Sequence, residues 1–295
     1  MPLPDGRVLA LGRRTLVMGI VNVTPDSFSD GGLRFDAGRA VADAVRMVAD
    51  GADILDVGGE STRPGAAPVD ADEEWRRVGP VLQGLRAAGV SVPMSIDTSK
   101  AVVAERAIDA GAVIVNDISA LAFDPALAAV VARTRAAVVL MHTRGRPQTM
   151  AAEARYGDDV VEEVTRELEA RGTVARAAGI AREAILYDPG FGFAKQARHS
   201  LAILAGLARL HVLGAPLVSG PSRKSFLTAA LGDVPPADRV WGTAAAVTAS
   251  ILAGAHIVRV HDVEAMVQVA RTADAILTAA SEPHGPAAFP RGPRG

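Results

Sequence analysis

The feature that most constrains the fold is a series of eight short apolar runs, each of which ends in polar or glycine-containing residues. The runs are rich in Val, Ile and Leu and do not alternate with polar residues, which is typical of parallel strands covered on both faces. Successive runs start far enough apart for a helical crossover between parallel strands. The predicted strands are Val17–Val23, Ile54–Gly58, Pro93–Asp97, Val113–Asp117, Ala137–His142, Ala184–Asp188, Pro216–Ser219 and Ile257–Asp262.

Alanine-rich segments with helical spacing follow each run. Gly51, Gly89 and Gly111 close three of them, at the place where a left-handed cap ends a helix. The predicted helices are Ala40–Asp50, Asp72–Ala88, Lys100–Ala110, Asp124–Arg135, Asp158–Ala178, Ser200–Leu213, Arg239–Ala253 and Val263–Ala280. Eight strand–helix units predict an α/β fold, a single (β/α)8 TIM barrel. A doubly wound open sheet is the alternative, but no Gly-x-Gly-x-x-Gly turn follows the first strand.

Three segments lie outside this repeat. Residues 1–16 are predicted to form a short extended cover over the bottom of the barrel, and residues 143–157 a long surface loop. The barrel is expected to span residues 1–280. The Pro- and Gly-rich residues 281–295 are expected to be a disordered tail.

Charge and composition exclude several classes of partner. The 295 residues carry a net charge of −2 without a Lys/Arg-rich block, which argues against a nucleic-acid surface. No apolar stretch reaches the roughly 18 residues that a membrane helix needs, and the first twenty residues do not read as a secretory signal. Cysteine is absent, which excludes disulfides and thiolate metal sites. We therefore expect a soluble, cytoplasmic protein.

In a barrel of this type, catalytic residues lie at the C-terminal ends of the strands and in the loops that follow. Asp or Asn side chains end several of the predicted strands, and buried polar groups of this kind require hydrogen-bonding partners. The strand-end positions collect Asn22, Glu60, Ser61, Thr62, Arg63, Asp97, Asn116, Asp117, Met141, His142, Asp188, Ser222, Arg223, Lys224, Arg259 and His261.

Some of these residues also have a purely structural interpretation. The alternative for Asp97 is that it caps the next helix, although Thr98 and Ser99 are available for that. Asp188 precedes Pro189 and is equally suited to opening a turn, and Lys224 is also placed to start a helix in solvent. We assign no functional role to Asp56, Asp117 or His142, which read as structural.

The residue types restrict the chemistry. Neither a His-Glu-x-x-His spacing nor a Gly-x-Ser-x-Gly elbow is present, which argues against a resident transition metal and a serine nucleophile. The carboxylates and amide at 97, 116 and 188 suit the N–H groups of a planar heterocycle. Cations such as Arg63, Lys224 and Arg259 suit phosphate or carboxylate. These features predict a small substrate with an anionic tail.

Seven motifs at the strand ends together resemble the dihydropteroate synthase family of folate biosynthesis. They are MGIVNVTPDSFSDGG (18–32), DVGGESTRPGA (56–66), SIDT (95–98), ND (116–117), DPGFGF (188–193), SRKSF (222–226) and RVHDV (259–263). The motifs occur in the family's order, one per strand end. The family has the same barrel fold.

The resemblance implies a transferase that joins 6-hydroxymethyl-7,8-dihydropterin pyrophosphate to 4-aminobenzoate, with release of pyrophosphate. It implies loss of pyrophosphate before attack by the amine, and Mg²⁺ as the cofactor. It assigns Asn22 to Mg²⁺. The pterin ring would be bound by Asp97, Asn116, Asp188 and Lys224, and the pyrophosphate by Thr62, Arg259 and His261. The aminobenzoate would be framed by Arg63, Pro64, Phe193 and Ser222. Catalytic roles fall to Lys224, Arg259 and His261. The loops Thr24–Leu33 and Ser61–Ala67 are expected to close over the substrates.

Four residues at three sites depart from the family's pattern. Ala120 and Ala194 stand where the family often has Gly, and Thr143-Arg144 where it commonly has Met-Gln. The competing interpretations are a pterin-dependent methyltransferase and a non-catalytic pterin-binding paralogue. The first does not account for the TPDSFSD and SRK motifs. The second would be expected to lose Asn22, Arg63 or Lys224, all of which are present. The resemblance also implies a homodimer, which an Ala-rich last helix would permit.

Overall fold

The computed structural model describes residues 1–24, 37–63 and 65–281. Eight parallel strands form one sheet in the order β6-β5-β4-β3-β2-β1-β8-β7. A parallel bridge between Tyr187 and Leu217 joins the two ends of this sheet and closes the barrel. The strands are β1 Leu16–Asn22, β2 Ile54–Gly58, β3 Met94–Asp97, β4 Ile114–Asp117, β5 Ala137–Met141, β6 Ile185–Asp188, β7 Val218–Ser219 and β8 Ile257–Val260.

Helices surround the barrel in the described part of the chain. They are α1 Ala37–Ala49, α2 Ala71–Ala87, α3 Ala101–Asp109, α4 Leu127–Thr134, α5 Val160–Ala177, α6 Ala197–Ala205, α7 Thr228–Leu231, α8 Val240–Leu252 and α9 Val263–Ser281. Asp70 and Asp159 cap α2 and α5 by accepting backbone N–H groups. Gly51, Gly89 and Gly111 have positive φ angles, as predicted for left-handed helix ends.

Two predicted elements differ from those observed. The predicted helix Ser200–Leu213 is two elements, because α6 ends at Ala205 and a 3-10 helix, Leu207–Leu213, follows Gly206. The predicted strand Pro216–Ser219 is reduced to the two residues of β7. Periodicity alone can predict neither the end of α6 at Ala205 nor the shortening of β7, because the apolar spacing continues through both segments.

The core has two layers, one inside the barrel and one between the strands and the helices. The interior layer includes Met18, Ile54 and Val139, all fully buried. Leu3 and Leu9 pack into the same cluster, and Pro2 pairs with Val8 in an antiparallel bridge. The predicted N-terminal cover is thereby confirmed. It closes the barrel at the end opposite to the strand C-termini.

Several predicted features fall on residues that the structure does not describe. The tail beyond Ser281, most of the first loop and Pro64 lie outside the described residues. Of the helices in the described ranges, none has the length and apolar character needed to cross a membrane.

Candidate active site

The strand register places the predicted site residues at one end of the barrel. Asn22 is level with Gly58, Gly58 with Asp97, and Asp97 with Asn116. Asp188 is the last residue of β6, and all the strands are parallel. The prediction that Asn22, Asp97, Asn116 and Asp188 point to the same end is therefore confirmed.

A pocket opens at this end. Its lining comprises Thr62, Asp97, Asn116, Ile118, Met141, Asp188, Gly190, Phe191, Phe193, Gly220, Lys224 and Arg259. Seven of these were predicted as site residues. Among the other predicted residues that the structure describes, Asn22, Arg63, Ser222 and His261 do not line the pocket. Asn22 and Arg63 are exposed, and Ser222 is buried against His261.

Arg259 organises the floor of the pocket. Its Nε donates to Asp56 Oδ2 at 2.6 Å, and its Nη2 donates to Asp97 Oδ2 at 2.6 Å. The amide Nδ2 of Asn116 donates to the same oxygen of Asp56 at 2.9 Å. Asp56 therefore fixes Asn116, predicted to contact the pterin, and Arg259, predicted to contact the pyrophosphate, a role that the sequence analysis did not assign to it.

Two carboxylates share this one guanidinium. Burial raises the pKa of Asp97 to about 7, and the negative charges of Asp56 and Glu74 add to the effect against the attraction of Arg259. Asp97 does not cap the following helix, because the N–H groups there bond to Thr98 and Asp124 instead. The predicted functional interpretation of Asp97 is thus favoured by its contacts.

Lys224 faces the floor from the opposite side of the pocket. Its ammonium lies 4.0 Å from the centroid of the Phe193 ring, a cation–π contact. Burial and the charge of Arg259 lower the pKa of Lys224 to about 8, against the attraction of Asp188 and Asp97. Burial raises the pKa of Asp188, whose Oδ1 also accepts the N–H of Gly190 at 2.6 Å. Asp188 therefore both opens the turn and lines the pocket.

His261 and Ser222 form a pair beside the pocket. The Ser222 hydroxyl oxygen accepts the backbone N–H of His261 at 3.1 Å and lies 3.1 Å from its Nδ1. Burial and the nearby cations Arg223, Arg259 and Lys224 lower the pKa of His261 to about 3, so the ring is neutral. The direction of the bond between this hydroxyl and Nδ1 depends on the ring tautomer. In the tautomer in which the hydroxyl donates to Nδ1, the ring proton lies on Nε2 and is available to an anion.

Asp117 and His142 are buried, as their structural interpretation requires. Asp117 accepts the N–H groups of Ser119 and Leu121 and so holds the turn after β4. His142 contacts Glu167 on α5 and Lys195 after β6. Neither side chain lines the pocket.

Two of the departures from the family pattern share one conformation. Ala120 has a φ of 49° and Ala194 a φ of 48°, in the left-handed region that glycine enters without a Cβ penalty. Both methyl groups are buried. The family's glycine preference at these positions is thus explained by the backbone, and alanine here adopts the same turn.

The second loop is hydrogen-bonded to residues 147–148, and the residues that flank it bond to each other. The N–H of Val69 donates to Glu60, whose carboxylate contacts Lys100. The N–H of Gly65 donates to the carbonyl of Pro147 at 3.0 Å, and the side chain of Gln148 donates to the carbonyl of Ala66 at 2.7 Å. In this arrangement Arg63 is exposed and does not line the pocket.

Comparison with known proteins gives one consistent result. The model of a family described as pterin binding enzyme matches residues 18–261. The chain is 49% identical over 276 residues to the dihydropteroate synthase of Synechocystis, covering 93% of this chain and 95% of that relative. It resembles the structure of Xanthomonas albilineans dihydropteroate synthase with 4-aminobenzoic acid, with a TM-score of 0.86, 44% identity and coverage of 96% of this chain and 99% of that one. A complex from the same organism with 7,8-dihydropteroate gives a TM-score of 0.84 at 42% identity, with coverage of 96% and 100%.

Proposed function

This chain belongs to the pterin binding enzymes and, among them, to the dihydropteroate synthases, and we propose that it joins 6-hydroxymethyl-7,8-dihydropterin pyrophosphate to 4-aminobenzoate. The products are 7,8-dihydropteroate and pyrophosphate. The observation that carries this function is the gathering of Asp97, Asn116, Asp188, Lys224 and Arg259 around one pocket at the strand ends. The methyltransferase alternative has no comparable support among the relatives found.

The floor of the pocket suits the pterin ring. The carboxylates of Asp97 and Asp188 accept hydrogen bonds from the N–H groups of its aminopyrimidinone edge, and the Asn116 amide offers both a donor and an acceptor. Lys224 donates to a ring acceptor from the side of Phe193. Buried charged partners make these hydrogen bonds strong and selective.

The mouth of the pocket suits the pyrophosphate. The guanidinium of Arg259, the Nε2 proton of His261 and the hydroxyl of Thr62 are donors to an anion, and they stabilise the charge that develops on the leaving group. We propose that the bond between the pterin methylene carbon and the pyrophosphate oxygen breaks first. The electron pair leaves with pyrophosphate, and the aromatic amine then attacks the cation and loses a proton. The buried carboxylates of Asp56, Asp97 and Asp188 support this order, because they favour positive charge on the pterin.

The remaining predicted residues frame the second substrate in this proposal. Phe193 supplies an apolar wall, and Ser222, which contacts His261, is assigned to the same substrate by the family resemblance. Arg63 pairs with the aminobenzoate carboxylate once the second loop moves inward from its bond with Pro147. Pro64 takes part in the same loop, outside the described residues.

We propose that Mg²⁺ arrives with the pyrophosphate. Asn22 ends β1 at the pocket margin, and its amide oxygen is a ligand of the kind that Mg²⁺ accepts. In the described part of the chain, no group of three His, Asp or Glu residues is placed to hold a metal ion. One amide oxygen fits an ion whose other ligands are phosphate and water. Apo protein should therefore bind Mg²⁺ weakly, and addition of pyrophosphate should strengthen that binding in calorimetry.

We propose that the protein is a homodimer, in the cytoplasm. Helix α8 has no charged residue, and its Trp241 is 80% exposed and its Leu252 45% exposed. Together with the exposed Ala245 and Ala249 they form an apolar stripe at helical spacing that a second copy would cover. Sedimentation equilibrium should give a dimer that Ala245→Arg converts to monomer. A monomeric parent protein would overturn this proposal.

A steady-state assay of pyrophosphate release tests the proposed function. Release should require both the pterin pyrophosphate and 4-aminobenzoate, and mass spectrometry should detect 7,8-dihydropteroate in equal amount. The matched control is Lys224→Met, which removes the ammonium while keeping most of the side-chain volume and should abolish most turnover. Release that ignores 4-aminobenzoate, or no release at all, would contradict the proposal.

A further inference from the structure

A second buried charge cluster lies outside the pocket, behind the loop that carries Phe193. The Lys195 ammonium donates to three acceptors, His142 Nδ1 at 2.8 Å, the His142 carbonyl at 3.2 Å and the Phe193 carbonyl at 2.9 Å. All three N–H groups are therefore satisfied, and all three acceptors are uncharged. Lys195 is only 8% exposed. Burying an ammonium on neutral acceptors costs free energy that a packed apolar side chain would not.

His142 connects Lys195 to helix α5 through a hydrogen bond to Glu167. Burial and the charge of Lys195 lower the pKa of His142 to about 4, so the ring is neutral and has one proton. Its Nδ1 accepts from Lys195, and its Nε2 lies 2.9 Å from Glu167, so the proton lies on Nε2 and is donated to the carboxylate. Although burial opposes it, the hydrogen bonds from His142 and Arg144 lower the pKa of Glu167 to about 2. The carboxylate is therefore ionised and fixes the orientation of the ring.

Arg144 completes the cluster at its outer edge. Its guanidinium contacts both Glu163 and Glu167 on α5 and lies 4.0 Å from the centroid of the Tyr156 ring. Arg144 is one of the departures from the family pattern. Its contacts show what the substitution does in this chain, which is to hold the carboxylate that orients His142.

The loop that Lys195 contacts needs such support. Gly190, Gly192 and Ala194 have φ angles of 68°, 77° and 48°, so every second residue of this turn is left-handed. A Cβ at Gly190 would lie 2.1 Å from the His142 carbonyl oxygen, so the loop presses directly against the end of β5. Lys195 binds carbonyl groups on both sides of this contact and joins the loop to β5. The ring of Phe193, held by this loop, lines the pocket and contacts Lys224.

We propose that Lys195 and His142 are positioning residues for the reaction, which lock the turn 189–195 against β5 and so hold the Phe193 ring as the wall of the 4-aminobenzoate pocket. The assignment of this wall to 4-aminobenzoate rests on the proposed function. The turn also touches the pterin site, through the bond of Gly190 to Asp188 and the contact of Phe193 with Lys224. Asp97 and Asn116 are held separately by Arg259 and Asp56, so loosening the turn affects the second substrate more than the first.

The test compares Lys195→Met with Tyr156→Phe. Methionine keeps the length and apolar character of the stem but donates no hydrogen bond. We expect the KM for 4-aminobenzoate to rise about tenfold or more, with less than about a threefold change for the pterin pyrophosphate, because misplacement of a wall by a fraction of an ångström weakens only the substrate it contacts. Tyr156→Phe removes a buried hydroxyl without a described partner in the same cluster and should change neither KM.

A second pair of variants separates positioning from general stability. His142→Asn keeps an acceptor for Lys195, whereas His142→Leu removes it, and both lose the bond to Glu167. The Asn variant should therefore retain more of the parent's affinity for 4-aminobenzoate. Equal losses in both variants, with equal melting temperatures, would contradict the role of the Lys195 contact.

Hydrogen exchange of the backbone amides of residues 190–196 gives a readout that does not depend on activity. Exchange should be faster in Lys195→Met and unchanged in Tyr156→Phe. If the parent enzyme makes no dihydropteroate, the proposed function fails while exchange still tests the positioning role. If exchange and both KM values stay at parent levels in Lys195→Met, the positioning proposal is wrong.

Discussion

Replacing Asp56 with Asn tests the organisation of the pocket floor most directly. Asp56 is fully buried, and one of its oxygens accepts from both Arg259 and Asn116. Its other oxygen has no hydrogen-bond partner among the described residues. An asparagine oxygen can accept from both donors, so the variant preserves the shape of the site. It removes the charge and places an amide NH2 where the unpartnered oxygen lies.

The size of the effect follows from these two bonds. A hydrogen bond to a charged group contributes about 1.5–3 kcal/mol and a neutral one about 0.5–1.5 kcal/mol, so each bond loses about 1 kcal/mol. If weaker bonds to Arg259 and Asn116 reduce the alignment of these side chains toward the substrate, binding loses a total of about 2 kcal/mol. This corresponds to a dissociation constant for the pterin pyrophosphate that is about 30-fold higher. The pKa of Asp97 should fall in the same variant, because the charge of Asp56 helps to raise it.

Titration calorimetry with the pterin pyrophosphate measures the affinity, and Ser95→Ala is the matched control. Ser95 is level with Asp56 on the neighbouring strand, is fully buried, and has a hydroxyl without a described partner. The control should bind like the parent. If Asp56→Asn binds within about threefold of the parent, the two bonds do not align the site in the way argued. An equal loss in Ser95→Ala would assign the effect to packing.

Further predictions concern pH, the second loop and stability. If Asp97 and Lys224 bind the pterin as proposed, binding needs an ionised Asp97 and a protonated Lys224, whose pKa values are about 7 and about 8. The affinity for the pterin pyrophosphate should then rise as the pH passes about 7 and fall above about 8. Because the folded protein raises the pKa of Asp97, the free energy of unfolding should fall as the pH rises from about 4 to about 7. Denaturation at several pH values measures this change. Labelled 4-aminobenzoate should bind negligibly to the free enzyme and clearly once pyrophosphate and Mg²⁺ are present. Arg63→Ala should raise the KM for 4-aminobenzoate far more than the KM for the pterin substrate. Equal binding of 4-aminobenzoate under both conditions would mean a preformed pocket. Arg135→Gly should stabilise the fold by about 0.5–1 kcal/mol in thermal or urea denaturation, because exposed Arg135 ends α4 with a φ of 56°.

The sequence was sufficient to predict the barrel and most of the pocket, because side chains at strand C-termini must meet at one end of a parallel barrel. Asp97, Asn116, Asp188 and Lys224 are all of this kind. Asp56 was missed because it lies in the middle of a buried strand, and its partner Arg259 is 203 residues away in the chain.

The Lys195 cluster was missed for a related reason. Lysine reads as a surface residue, and only tertiary packing shows that its ammonium is enclosed by His142 and the Phe193 carbonyl. The end of α6 at Gly206 was missed because the apolar spacing continues into the 3-10 helix. Burial of single polar groups and local changes of helix type depend on neighbours that are distant in the chain.

The barrel closes between β6 and β7 through a single bridge, Tyr187 to Leu217, and β7 is only two residues long. This seam is the weakest join in the cylinder, and the pocket lies across it. Asp188 stands on one lip, at the end of β6, and Lys224 on the other, in the segment that follows β7. A pterin ring bound by both residues, as proposed, would link the two edges of the sheet. We therefore expect the substrate to stabilise the closure of the barrel, and we expect the ligand-free barrel to open first at this seam.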